Sequence, residues 1–168
     1  MLSSSFVCRA RAAVVLFSLA VMPAASLHAQ RGDVPASERA RGAERVVVGR
    51  VSSIASVWRD NDFGDRLITS VLHVTVDETL KGTAGPSVDV EVEGGTIGSL
   101  TLRVSDLDTF ATGDRAVFYL KRNRRGALVP HMRGLGLQKL DRAGRITGTS
   151  ITLDQVRREV RAGASRQP

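Results

Sequence analysis

The residues that could do chemistry are few. Past residue 29 the chain holds two histidines, His73 and His131, and no cysteine, the single Cys8 lying before that point. A serine nucleophile needs a histidine held against it and an acid behind that histidine, and no nucleophile-elbow pattern is present. A zinc site needs three or four ligands, usually histidine or cysteine, and two histidines on different strands do not supply them. His73 falls on a mostly polar strand face and reads as a surface residue. Asp89, Glu91 and Glu93 are paired carboxylates, but strand alternation places them on a wet face, where nothing separates their pKa values. Asp60, Asp62 and Asp65 cluster within 59–65. Counted from Asp60, the sixth and twelfth places of a calcium loop hold Asp65 and Val71 instead of Gly and Glu. Gly94-Gly95 and Gly134-Leu135-Gly136 precede strand-like sequence, which is not the setting of a phosphate loop. The expectation is a chain with no catalytic residue, no metal ligand set and no cofactor.

Binding is better represented. Lys121, Arg122, Arg124 and Arg125 crowd one tight turn and could meet an anionic polysaccharide, lipid or nucleic acid. Single-stranded nucleic acid also needs aromatic platforms. The chain has five Phe, one Trp and one Tyr, and two of the Phe, Phe6 and Phe17, lie in the leader. Of Phe118 and Tyr119, beside the basic turn, at least one should point inward. Trp58 is either an exposed anchor for a glycan or a protein, or a cap on the end of the fold.

These residues hang on strands. Segments 45–58 and 66–80 are rich in Val, Ile and Thr and read as two long strands. They are joined by the polar turn 59–65, with Gly64 at positive φ. In the second strand, Ile68, Leu72 and Val74 form the apolar face. Val88, Val90 and Val92 alternate with Asp89, Glu91 and Glu93, the cleanest period-two signal in the chain. Gly94-Gly95 breaks that strand, and Leu100, Leu102 and Val104 predict a fourth. Leu107 and Phe110, in the connection 105–114, are expected to plug the core. Segment 115–121 is a fifth strand and 122–126 its turn. Pro130 makes the return 127–132 an edge or irregular strand. Leu135, Leu137 and Leu140 add one more apolar edge, 141–144 is a turn and 145–151 a short strand or loop. One helix, 153–162, closes the chain. Thr152 is its N-cap, with Gln155 three residues on, Leu153, Val156 and Val160 its apolar stripe, and Gly163 just past its end. No repeat of fixed period is present. The pattern is mainly β, a small barrel or sandwich with one C-terminal helix.

Residues 1–29 read as a secretory signal: Arg9 and Arg11, the apolar run AAVVLFSLAVM, small residues, and cleavage after Ala29. An uncleaved anchor is the alternative. No further stretch is apolar enough to span a bilayer. The expected location is exported, periplasmic or secreted. Without cysteine, the exported chain must hold by burial and strand pairing. Residues 30–44 read as a flexible lead-in with a short helical turn at 36–41, and the tripeptide Arg31-Gly32-Asp33 as coincidence. One domain, 45–162, and a tail, 163–168, follow. A monomer is expected. The net charge of +7 favours solubility and anionic surfaces.

The stretches VVVGRV (46–51), VTVDETLKG (74–82), FATGDRAVFYL (110–120) and GLGLQKL (134–140), with a tryptophan near a polar turn, resemble small exported bacterial β-domains that sometimes precede matrixin-like metalloproteases. Their layout is similar to the OB-like (Greek-key) barrel of netrin-like modules and tissue inhibitors of metalloproteinases, and the resemblance covers 45–141. It implies a barrel of five to seven strands. Those inhibitors block a protease zinc through an N-terminal cysteine. This chain has none past Cys8, so that mechanism is not implied. The resulting expectation is an exported, non-catalytic module that binds a protein or a cell-envelope polymer. The alternative is an anionic-ligand binder using Lys121, Arg122, Arg124 and Arg125, nucleic acid being disfavoured by export; an uncharacterised enzyme comes third.

Overall fold

The long hairpin is the frame of the computed structural model, which describes residues 34–61 and 63–164. The predicted leader, its cleavage point, Arg31-Gly32-Asp33 and Asp62 lie outside the described residues. Strand β1 runs Arg45–Asp60 and β2 Arg66–Lys81, paired antiparallel from Val46↔Lys81 to Asp60↔Arg66. Three register irregularities, at Val46/Val47, Val48/Gly49 and Val51/Ser53, fall in the first half of β1. Such bulges bend and twist a strand. They let β1 curl until its Arg45–Arg50 half also pairs with a later strand.

Strand β3 is Ser87–Glu93. Gly94 and Gly95, both at positive φ, end it. A small separate hairpin follows, β4 Gly95–Ile97 and β5 Leu100–Leu102. The fourth strand expected from Leu100, Leu102 and Val104 therefore does not join the main sheet. Leu100 is exposed, because three residues tied to a glycine turn cannot reach the ladder. Strand β6 is Arg115–Arg122, β7 the short Leu128–Pro130 and β8 Leu137–Leu140. A 3₁₀ turn, Arg133–Gly136, leads into β8.

The main sheet has six strands in the order β1-β2-β3-β7-β6-β8, and β6 pairs with β1 as well. The sheet is mixed and nearly closes a ring. Its weakest seam is β3 against β7, one parallel pair, Val90↔Leu128. Pro130 limits β7, as its missing N–H requires. Leu107 and Phe110 are half-buried against the ring interior, with the Phe110 and Phe118 rings 5.8 Å apart.

The run Val46-Val47-Val48 is fully buried on both faces of β1. Val47 lies opposite Phe118 and packs inside the ring with Val51, Leu72, Val74 and Val90. Val46 and Val48, opposite Tyr119 and Val117, face a second core built with two helices. These are α1, Ala36–Arg41, and α2, Leu153–Ala164. Phe118 and Tyr119 therefore both point inward, into different cores. The buried Tyr119 hydroxyl donates to Gln138 Oε1 at 3.0 Å.

The helix at 36–41 forms as expected, yet from Val34 onward the lead-in is packed. Ala36, Ala40 and Ala43 are buried, and the α1 N-terminal amide of Ala36 donates to Glu159 of α2 at 2.8 Å. In α2, Thr152 Oγ1 accepts from the Gln155 amide at 3.3 Å, while the Gln155 side chain turns to Glu159. The cap is half of a capping box. Leu153, Val156 and Val160 are buried as expected. Gly163 lies inside α2, where Ser37 comes within 3.4 Å of the place a Cβ would occupy. An added Cβ would meet α1 at an ordinary van der Waals distance. No helix among the described residues is long and apolar enough to cross a membrane.

Candidate functional site: a cleft between two braced turns

Three turns share one construction. In 61–65, Asn61 Oδ1 accepts from the amides of Phe63 and Asp65, both at 2.9 Å. In 123–127, Asn123 Oδ1 accepts from Arg125 and Ala127, both at 3.0 Å. In 141–145, Asp141 Oδ1 accepts from Ala143 at 2.8 Å and Arg145 at 2.9 Å. Each has glycine at its fourth place in a left-handed conformation: Gly64 at φ 90°, Gly126 at 79° and Gly144 at 74°. The side chain replaces the backbone partner that a tight turn lacks, and glycine takes the φ that a Cβ resists. Each turn is therefore braced by its own leading side chain.

Two of them, 61–65 and 123–127, stand on either side of a cleft of about 290 Å³. Its floor is the outward face of β2 and β3, with Thr69, Glu91 and Glu93, and Met132 and Arg133 also line it. Phe63 stands at its edge with 90% of its surface exposed. The cleft lies beside the seam where β3 and β7 diverge.

Ion pairs organise the floor. Glu91 holds Arg125 at 2.7 Å and Arg59 at 3.3 Å, and its side chain is only 14% exposed. For Glu91 the expectation of a wetted carboxylate is corrected, because the guanidinium groups of Arg59 on β1 and Arg125 in the β6–β7 turn cover it, while Asp89 on the same face stays exposed. Arg133 reaches Glu93 at 3.2 Å and Asp106 at 2.9 Å. The Asp106 hydrogen bond, against a smaller cost of burial, raises the Arg133 pKa further. Among the described lining residues, Asp60, Glu91 and Glu93 stand against Lys121, Arg125 and Arg133. The charges balance.

The basic turn is split by the fold. Lys121 and Arg125 line the cleft. Arg122 turns away: its amide donates to Glu44 at 2.9 Å and its guanidinium to the Gly126 carbonyl at 2.7 Å. Arg124 is exposed. Trp58 is 40% exposed on β1, opposite Ile68, with the Arg66 guanidinium 5.8 Å over its ring. It belongs to neither buried core and is not among the residues that line the cleft. No family model matches the chain, and no curated protein matches it.

The histidines do not converge. His73 Nδ1 is 2.6 Å from Asp89 Oδ1 on the open sheet face. Ser53 stands opposite His73 in register, as His73 stands opposite Asp89. Among the described residues no hydrogen bond joins Ser53 to His73, so this row lacks the nucleophile–base contact that acyl transfer uses. His131 Nδ1 is buried without a hydrogen-bond partner among the described residues. No group of three or more His, Cys, Asp or Glu among the described residues is placed to hold a metal ion.

The sequence alone does not single out Asn61, Phe63, Asn123 or Arg133, and it puts Glu91 on a wet face. The spacing Asn/Asp-x-x-Gly, present at 61–64, 123–126 and 141–144, was the available signal for the turns. Nothing local signals that the first two turns face each other, because their approach depends on the parallel β3–β7 step.

Proposed function

We propose that the chain is an exported, non-catalytic OB-like β-barrel module that binds a protein or a cell-envelope polymer in this cleft. The observation that carries the reading is the pair of side-chain-braced turns lining one cleft over the β2–β3 face, with an exposed aromatic, Phe63, on one of them. The ring order supports an OB-like description. Its strands run β1-β2-β3-β7-β6 and back to β1, with a parallel step at β3–β7. Five-stranded Greek-key barrels of that type bind on the face of their second and third strands, between the loop joining strands one and two and the loop joining four and five. Counted around this ring, those loops are 61–65 and 123–127. Turns braced by their own side chains favour binding, since less order has to be imposed on association.

The test is capture from a bacterial envelope extract by the wild-type chain and by a Phe63→Ala/Arg125→Ala double variant. The reading expects a ligand held by the wild type and lost by the variant. Equal capture by both removes the cleft.

A second reading, anionic-ligand binding through 121–125, draws on the exposed Arg124 and on Lys121. Arg122 and Arg125 weaken it, since Glu44 and Glu91 already occupy them. Salt-dependent retention on heparin that disappears when Arg122, Arg124 and Arg125 become Ser supports this reading; retention that persists rejects it.

A further inference from the structure

We infer that the ligand of the cleft is an uncharged, hydroxyl-rich glycan segment, seated against Phe63 and hydrogen-bonded to the Glu91–Arg125 and Glu93–Arg133 pairs. The inference rests on the cleft reading and specifies its chemistry. Three observations carry it.

The first is the charge balance. Three acids and three bases line the described part of the cleft, so a polyanion or polycation gains no net attraction there. An anionic group reaching Arg125 also meets Glu91, the carboxylate already held 2.7 Å from that guanidinium, whose repulsion offsets the attraction.

The second is the pairing of donors with acceptors. Carboxylates accept only, guanidinium and ammonium groups donate only, and a hydroxyl does both. A polyol laid along the β3 face can donate to Glu91, Glu93 or Asp60 while accepting from Lys121 or Arg125. The ion pairs need not break, and they hold these planar groups in place before the ligand arrives. An extended peptide, in contrast, is recognised through a free sheet edge or pockets for apolar anchors. The floor here is a strand face bearing carboxylates.

The third is Phe63. A ring 90% exposed on a turn fixed by two hydrogen bonds to Asn61 is an unusual surface cost. It offers a flat apolar face at the edge of a polar cleft, which suits the C–H face of a pyranose. The cleft, about 290 Å³, is at the small end of ligand sites and suits a short segment of a chain.

The experiment is a glycan array of uncharged gluco-, manno- and galacto-oligosaccharides beside heparin and other anionic glycans. It is probed with the full-length chain produced in an exporting bacterium, at low and high salt. The expected result is retention on uncharged glycans, insensitive to salt, and weakened at least about tenfold by Phe63→Ala and by Glu91→Gln. Phe63 is too exposed for its removal to unfold the chain, and circular dichroism of Glu91→Gln separates loss of binding from loss of fold. Retention on anionic glycans alone, falling with salt, overturns the inference. So does an array without any uncharged hit. If an envelope protein is then captured in a Phe63-dependent way, the cleft reading survives and the glycan does not. If capture ignores Phe63 and Arg125, the cleft reading falls as well.

Discussion

Arg125, in the β6–β7 turn, reaches Glu91 on β3 at 2.7 Å. Two strands that share a single backbone pair, Val90↔Leu128, are thus tied beyond it by a side-chain clasp. Arg59, from the far end of β1, takes the other oxygen of the same carboxylate at 3.3 Å. The clasp sets the spacing of the two turns across the cleft.

Opening it should matter little for stability and much for binding. Both arginines are about half exposed to water, and exposed pairs of this kind are worth about 1 kcal/mol or less. Glu91→Gln should move the urea midpoint only slightly. Amide exchange in 123–127 should rise by comparison, because the turn loses its tether to β3.

The two cores give a second prediction. Phe118→Ala empties the ring interior and should cost about 3–5 kcal/mol. Leu153→Ala, in the helix core, should cost about 2 kcal/mol or more. Phe63→Ala should stay within about 0.5 kcal/mol of wild type. Chemical denaturation of the three variants checks the ordering.

This division of cores shows what the sequence carries and what it hides. The alternation of Val88, Val90 and Val92, the glycine at 64 and the Thr152 cap are local facts, so strand β3, the first turn and the start of α2 were readable. Val46-Val47-Val48 was read as strand, but a three-residue run does not reveal that both faces are covered. That depends on α1 and α2, which come together from 123 residues apart through Ala36 and Glu159. Leu100 and Leu102 had the right alternation and the wrong destination. Glu91 had the right face, and its cover comes from arginines 32 and 34 positions away. The cleft is a product of such distant pairings.

The braced turns give a third prediction. Asn123→Ala removes the one acceptor, Oδ1, that two backbone amides share and should cost about 1 kcal/mol. Gly126→Ala should cost about 1–2 kcal/mol. No atom lies within 4 Å of the added Cβ, so the penalty is conformational. Asn123→Asp keeps the acceptor and should stay close to wild type in thermal unfolding, and a loss equal to that of Asn123→Ala contradicts the bracing role.

Acid sensitivity follows from His131. Burial, then the charges of Lys121 and Lys81, hold its pKa below the usual 6.5. Between that lowered value and about 6.5 the unfolded chain binds more protons than the folded one. Stability from this site is therefore complete above about pH 6.5 and is lost as pH falls toward the lowered value. Urea midpoints from neutral pH downward should fall in this window, and His131→Leu should flatten the fall. Asp114 acts lower. Burial raises its pKa, but the Lys139 hydrogen bond and the Ala111 amide outweigh burial and bring it below 3.8. Its contribution is present above about pH 3.8 and is lost as pH drops through the lowered value. Parallel profiles for wild type and His131→Leu contradict the first assignment.

The most direct test of the central claim is amide chemical-shift mapping of the chain during titration with solubilised bacterial envelope material. The account predicts saturable shifts concentrated at Asn61, Phe63, Thr69, Glu91, Asn123 and Arg125, and absent from Phe63→Ala. Shifts centred on α2 or β8, or confined to Arg122 and Arg124 and erased by salt, contradict it.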